Sequence, residues 1–131
     1  MTQARLQDKV AFVTGGGTGI GAATAIRFAQ EGAVVVVCGR RREPLDSVVA
    51  QILAAGGRAE AVQADVSDEA GLTAAIEAAA QRHGRLDILV NNAMAYSWGS
   101  IESTSTADWH SNFSTSVDGT FWGTRAAMKL M

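Results

Sequence analysis

The densest chemistry in the sequence is the stretch Thr14 to Gly21, TGGGTGIG, which follows an apolar VAFV run and opens a helical pattern near Gly19. Gly15, Gly19 and Gly21 sit in a TGxxxGxG spacing rather than GxGxxG. The physics is the same for both spacings. Glycine permits a sharp strand-to-helix turn, lets backbone approach a pyrophosphate, and leaves N–H groups at the positive end of a helix. A phosphoryl-transfer loop would continue Gly-Lys-Ser/Thr, whereas Ala22 and Ala23 follow Gly21. A glycine cluster after a strand can also be a plain tight turn. Its position in a βαβ unit speaks against that reading. A dinucleotide site usually places an acid about 20 residues past the glycines to hold the ribose 2′-hydroxyl. This chain has Cys38-Gly39-Arg40-Arg41-Arg42 there, with no acid. A guanidinium fork grips a 2′-phosphate, so NADP(H) is favoured over NAD(H), with Arg40 first and Arg41 behind it. The alternative is a solvated basic loop.

These residues need a scaffold, and the apolar pattern supplies one. Four short runs, Val10–Val13, Val34–Cys38, Ala59–Gln63 and Ile88–Val90, start 24, 25 and 29 residues apart. A strand plus crossover helix takes about 30 residues, far more than a hairpin. Val-rich runs without polar alternation suit strands covered on both faces. Between them, Leu45, Val48, Val49, Ile52 and Leu53 recur at helical spacing, with Pro44 in the first turn and Gly56-Gly57 as the stop. Leu72, Ala75, Ile76 and Ala79 repeat the pattern, with Ser67 as the expected N-cap, Asp68 and Glu69 suited to the helix dipole, and Gly84 as the end. From Thr106, the residues Trp109, Phe113, Val117, Phe121 and Met128 recur at helical spacing. The order β-α-β-α-β-α-β-α predicts an α/β class, a Rossmann-like doubly wound parallel sheet, in one domain over 1–131. Right-handed crossovers predict the strand order 3-2-1-4, with an edge of the fourth strand and one face of the last helix left uncovered unless another chain covers them.

Composition narrows the function classes. Eleven Lys and Arg against 13 Asp and Glu, with one short basic run, give no electrostatic footprint for nucleic acid or an acidic membrane. The longest apolar run, Ala33 to Cys38, is far below the roughly 20 residues that span a bilayer. With a single cysteine and no apolar leader at the N-terminus, a reducing cytoplasm is the expected location. Two histidines and no Cys or carboxylate cluster at ligand spacing imply no metal site. His83 is expected to meet a helix dipole, His110 to lie on a solvated face, and Cys38 to be a small core residue rather than a nucleophile.

TGGGTGIG, then Asp65-Val66 after the third strand, then Asn91-Asn92-Ala93 after the fourth, together resemble the classical short-chain dehydrogenase/reductase family. The tail TSVDGTFWGTRAAM resembles that family's long helix before the catalytic strand. The resemblance implies that Gly15, Gly17, Thr18 and Ile20, within the glycine turn that also carries Gly19 and Gly21, line the pyrophosphate and nearby ribose. It implies that Asp65 accepts from the adenine amino group with Val66 beside the ring, and that Asn92 and Ala93 pass along the adenosine and ribose side. Asn91 would tie the fourth strand to its neighbour. From residues alone, Asp65 reads equally well as a turn carboxylate near the Ser67 helix start.

The implied reaction is hydride transfer between a nicotinamide and a small-molecule carbonyl or secondary alcohol, assisted by a Tyr-x-x-x-Lys pair. Here the only Tyr is Tyr96, with Ser100 four residues later. The family places its catalytic Ser, Tyr and Lys beyond Met131, so the chain reads as the cofactor-binding N-terminal half of an NADP-preferring oxidoreductase, inactive by itself. Alternatives are a non-catalytic dinucleotide-binding or oligomerisation module, or an inactive truncated remnant. Ser116 stands where the family has an Asn that helps hold a proton-relay water, with shorter reach. Met94 replaces the glycine after Asn-Asn-Ala, on the nicotinamide side. The loop Tyr96, Ser97, Trp98 and Gly99 is expected near substrate. The resemblance also implies a homo-oligomer formed through the helix from Thr106.

Overall fold

The computed structural model describes residues 4–131. The chain runs β1 (Val10–Thr14), α1 (Gly19–Gln30), β2 (Val34–Gly39), α2 (Arg42–Ala54), β3 (Arg58–Gln63), α3 (Glu69–His83), β4 (Ile88–Val90), α4 (Thr106–Phe113) and α5 (Gly119–Met128). All strand pairs are parallel and the sheet order is β3-β2-β1-β4, as the crossover argument requires. Val10–Thr14 pairs residue for residue with Val34–Cys38, and Ala11–Val13 with Ile88–Val90.

Alternate strand residues feed two cores, which explains the unbroken apolar runs. Val13, Val35 and Val37 pack with Ala25, Ala29, Leu45, Val48 and Ile52 of α1 and α2. Phe12, Val36 and Cys38 pack on the opposite face with Leu72, Ile76 and Ala79 of α3 and Ala126 and Ala127 of α5. Both faces of the central strands are therefore dry. On α2 the stripe is narrower than its periodicity suggests, since Leu53 is exposed.

Three local expectations are corrected. The N-cap of α3 is Asp68, whose carboxylate accepts from Gly71 N, and not Ser67. Ser67 is already committed, because its N–H and hydroxyl both donate to Asp65 Oδ1, at 2.9 and 2.7 Å. Asn91 does not tie β4 to a neighbouring strand; its side-chain amide donates to Thr124 Oγ1 on α5 at 3.1 Å. The helix from Thr106 is not uniform, since a π-helical turn over Ser114–Asp118 separates α4 from α5. That turn lies where the Ser116 hydroxyl bridges out of the helix to Ala95.

The buried face of α5 is made of small residues, Gly119, Gly123, Ala126 and Ala127. Trp122 packs against that core, whereas Trp109, Phe113, Val117, Phe121 and Met128, along α4, the π turn and α5, are all exposed. Trp109 and Phe113 stack with ring centroids 4.7 Å apart, and the Arg125 guanidinium lies 4.9 Å from the Phe121 ring centre. Among the described residues no helix is long and apolar enough to cross a membrane.

Candidate functional site

The site begins at the C-terminal end of β1. Thr14 is buried, and its hydroxyl donates to Val90 O at 3.3 Å while accepting from the N–H groups of Asn92 and Ala93, each at 3.1 Å. One hydroxyl thus welds the start of the glycine turn to the end of β4. Two further bonds fix the turn itself: Asn92 Nδ2 donates to Gly15 O at 3.1 Å, and Gly16 N donates to Cys38 O of β2 at 3.1 Å. Gly15 has φ +63, a conformation that side-chain-bearing residues rarely adopt. A Cβ on Gly21 would stand 2.1 Å from Gly15 O, so only glycine lets α1 start this close beneath the turn.

Above this turn lies a cleft of about 450 Å³, within the range of small-molecule sites. One wall is Gly15, Gly17, Thr18, Gly19 and Ile20. The facing walls are Arg40, Arg41, Pro44 and Leu45 on one side, and Asp65 with Val66 on another. Asn92, Ala93, Met94 and Thr115 close the far end. Sequence reasoning singled out most of this lining. It missed Gly39, Pro44, Leu45, Ala64 and Thr115 as wall residues, and it left Thr14 without a role although the Thr of TGxxxGxG was in view. Gly21 lies behind the turn rather than on the wall, and Ser116 is also off the wall. The Ser116 hydroxyl accepts from Ala95 N at 3.1 Å and donates to Ala95 O at 3.2 Å, tying the loop after β4 to the π turn.

Electrostatics make the cleft a place for an anion. The N-cap Thr18 makes no side-chain capping bond and the first turn of α1 holds no acid, so its N–H groups face the cleft without a protein anion. Ile20 in that turn is 79% exposed, an apolar side chain presented to the opening. Among the described residues Arg42 pairs with Asp46 at 3.1 Å, whereas Arg40 and Arg41 join no ion pair. The Asp65 carboxyl feels burial, which pushes it up, but the two Ser67 bonds and the nearby Arg40 charge outweigh burial and hold it below the usual carboxylate range. It stands ionised on the wall.

The remaining candidates lie elsewhere. Cys38 is buried with its thiol toward Ala64 O, and burial pushes it up to about 12, which removes it as a nucleophile at neutral pH. Tyr96 and Trp98 pack edge to face, 5.6 Å between centroids, on an exposed loop outside the cleft walls. His83 ends α3 with Nε2 3.3 Å from Glu60 Oε1, and His110 is exposed. No cluster of metal-ligating side chains occurs among the described residues.

Residues 9–131 match the family model described as short chain dehydrogenase. The meso-2,3-butanediol dehydrogenase of Serratia marcescens is 38% identical over 124 residues, which are 95% of this chain and 49% of that protein. The NADP-dependent (R)-specific alcohol dehydrogenase of Lentilactobacillus kefiri is 40% identical over 129 residues, 97% of this chain and 50% of that one. A short chain dehydrogenase from Burkholderia cenocepacia, solved in complex with NADP, superposes with a TM-score of 0.92 at 40% identity, covering 97% of this chain and 52% of that chain. The chain thus spans about half the length of the relatives it matches.

Proposed function

The chain belongs to the short-chain dehydrogenase family, an oxidoreductase family, and from that premise we propose that it forms the NADP(H) site of an enzyme that interconverts a small carbonyl compound and its alcohol. The cofactor supplies the hydride when bound. This chain's residues bind and orient it. Gly15, Gly17, Thr18, Gly19 and Ile20 hold the pyrophosphate at the uncapped start of α1. Asp65 takes the adenine amino group with Val66 beside the ring, and Asn92 and Ala93 run along the adenosine and ribose.

The observation that carries the reading is the pair Arg40 and Arg41, which join no ion pair among the described residues and line the cleft where a ribose-holding acid would otherwise stand. The NADP-dependent relative and the NADP-bound structure support the same choice. Calorimetric titration with NADPH and NADH tests it. NADPH should bind at least tenfold more tightly, and equal affinities would overturn the phosphate reading.

Proton transfer by a Tyr-x-x-x-Lys pair is assigned to the family relatives' remaining length, since Tyr96 is followed four residues on by Ser100. The exposed aromatic stripe favours self-association through the helix from Thr106. Light scattering on the wild type and on Phe113→Asp decides this, because a monomer in both would end it.

A further inference from the structure

We propose that Gln63, which lies outside the cleft, is a positioning residue that sets the NADP(H) preference by holding the Arg40–Arg41 connector in place. The proposal rests on the NADP(H) reading of the cleft and deepens it.

Between the end of β2 at Gly39 and the start of α2 at Arg42 the chain has two residues, Arg40 and Arg41. Both arginines that line the cleft and join no ion pair among the described residues sit on that connector. Three successive carbonyls, Cys38, Gly39 and Arg40, are held by two segments, the glycine turn and the end of β3. Cys38 O accepts from Gly16 N of the glycine turn at 3.1 Å. Gly39 O accepts from Ala64 N at 3.0 Å. Arg40 O accepts from Gln63 Nε2 at 2.8 Å. The first two bonds are backbone to backbone and depend on no side chain. The third comes from a side chain, and it is the bond made by the connector itself.

Gln63 closes β3, in register with Gly39, so strand pairing fixes where its amide starts from. Arg41, the N-cap residue of α2, makes no side-chain capping bond that would fix the connector from the other end. Without the Gln63 bond the Arg40–Arg41 peptide is free to rotate. Both guanidinium groups then spend part of their time away from the 2′-phosphate position. A cofactor with a bare 2′-hydroxyl gains little from those cations and loses little when they wander. The consequence is a change in discrimination rather than in overall binding.

The test compares wild type with Gln63→Met, which keeps length but cannot donate, and Gln63→Glu, which cannot donate and adds a negative charge. Gln63 is exposed, so the fold should survive, and the thermal midpoint checks it. In Gln63→Met, NADPH should bind about three- to tenfold more weakly, the range for one neutral hydrogen bond, with NADH changed less than twofold. Gln63→Glu should lose more for NADPH, and the excess should shrink as salt is raised. Backbone 15N order parameters at Arg41, measured without cofactor, should fall in both variants. An unchanged NADPH-to-NADH ratio, equal weakening of both cofactors, or unchanged order parameters at Arg41 overturns the role of Gln63. If Arg40→Asp also leaves the ratio unchanged, the NADP(H) reading itself fails, and the order parameters still decide whether Gln63 holds the connector.

Discussion

Replacing Arg40 separates a phosphate-binding cation from a surface charge. Arg40 is exposed, so a bare Coulomb estimate overstates its worth, and an exposed ion pair alone contributes only about 0.2–1 kcal/mol. A hydrogen bond to a charged group contributes more, about 1.5–3 kcal/mol. Arg40 joins no ion pair among the described residues, so it surrenders no such partner on binding an anion. The net effect therefore falls between these ranges, at about 1–2 kcal/mol, or roughly 5- to 30-fold in affinity. Arg40→Ala should weaken NADPH by that factor and leave NADH within twofold. Arg40→Asp should weaken NADPH further, by charge repulsion, and improve NADH relative to it, because a carboxylate accepts from a ribose hydroxyl. The control is Arg42→Ala. Arg42 pairs with Asp46 along α2, and its loss should change neither cofactor by more than twofold. Calorimetry at two salt concentrations reads all three variants. An identical NADPH-to-NADH ratio in wild type and Arg40→Asp, or an effect of Arg42→Ala as large as that of Arg40→Ala, would refute the reasoning.

Thr14→Val is nearly isosteric and removes one hydroxyl, but it strands the N–H groups of Asn92 and Ala93 and the carbonyl of Val90. A cost of about 2–3 kcal/mol follows for these buried groups, with both cofactors weakened alike, and a thermal midpoint unchanged by the substitution would contradict it. Acid should weaken the fold through β3 and α3. Burial pushes the Glu60 carboxyl up, but the Arg82 hydrogen bond and charge, with His83 adding to them, bring it below the ordinary glutamate value of 4.5. A carboxyl lower in the folded than in the unfolded chain adds stability above 4.5 that is lost as pH falls below it. Thermal midpoints between pH 6 and pH 3 should therefore drop less steeply in Glu60→Gln than in wild type, and parallel curves would rule the contribution out.

What sequence alone revealed and what it concealed differ by the range of the interactions involved. Strand positions, sheet order and the glycine turn follow from local pattern and from the handedness of crossovers, and all stand in the structure. The cap of α3 did not follow, because Ser67 and Asp68 are equally good caps and the choice rests on Asp65 claiming the Ser67 hydroxyl. The π turn was hidden for a related reason. It coincides with Ser116 meeting Ala95, 21 positions away, and no helical period announces that contact. Pro44 and Leu45 read as helix residues, which they are, and their second role as cleft wall appears only when α2 is set beside the glycine turn.

The cleft's precision has a physical source that the individual motifs do not show. Each strand end that contributes a wall is locked to its neighbour by at least one bond beyond the regular ladder, among them Thr14 to Val90, Gly16 to Cys38, and Ala64 to Gly39. These bonds link β4, β1, β2 and β3 in spatial order, along the C-terminal rim where parallel sheets bind ligands. Movement at one strand end is therefore resisted by the next, and the loops above inherit a rigid base. Specificity is then left to side chains standing on that base, Arg40 and Arg41 at one end and Met94 at the other. On this view the rim decides whether a dinucleotide binds at all, and the side chains decide which one. Thr14→Val should accordingly cost both cofactors equally, while Arg40 and Gln63 variants should divide them.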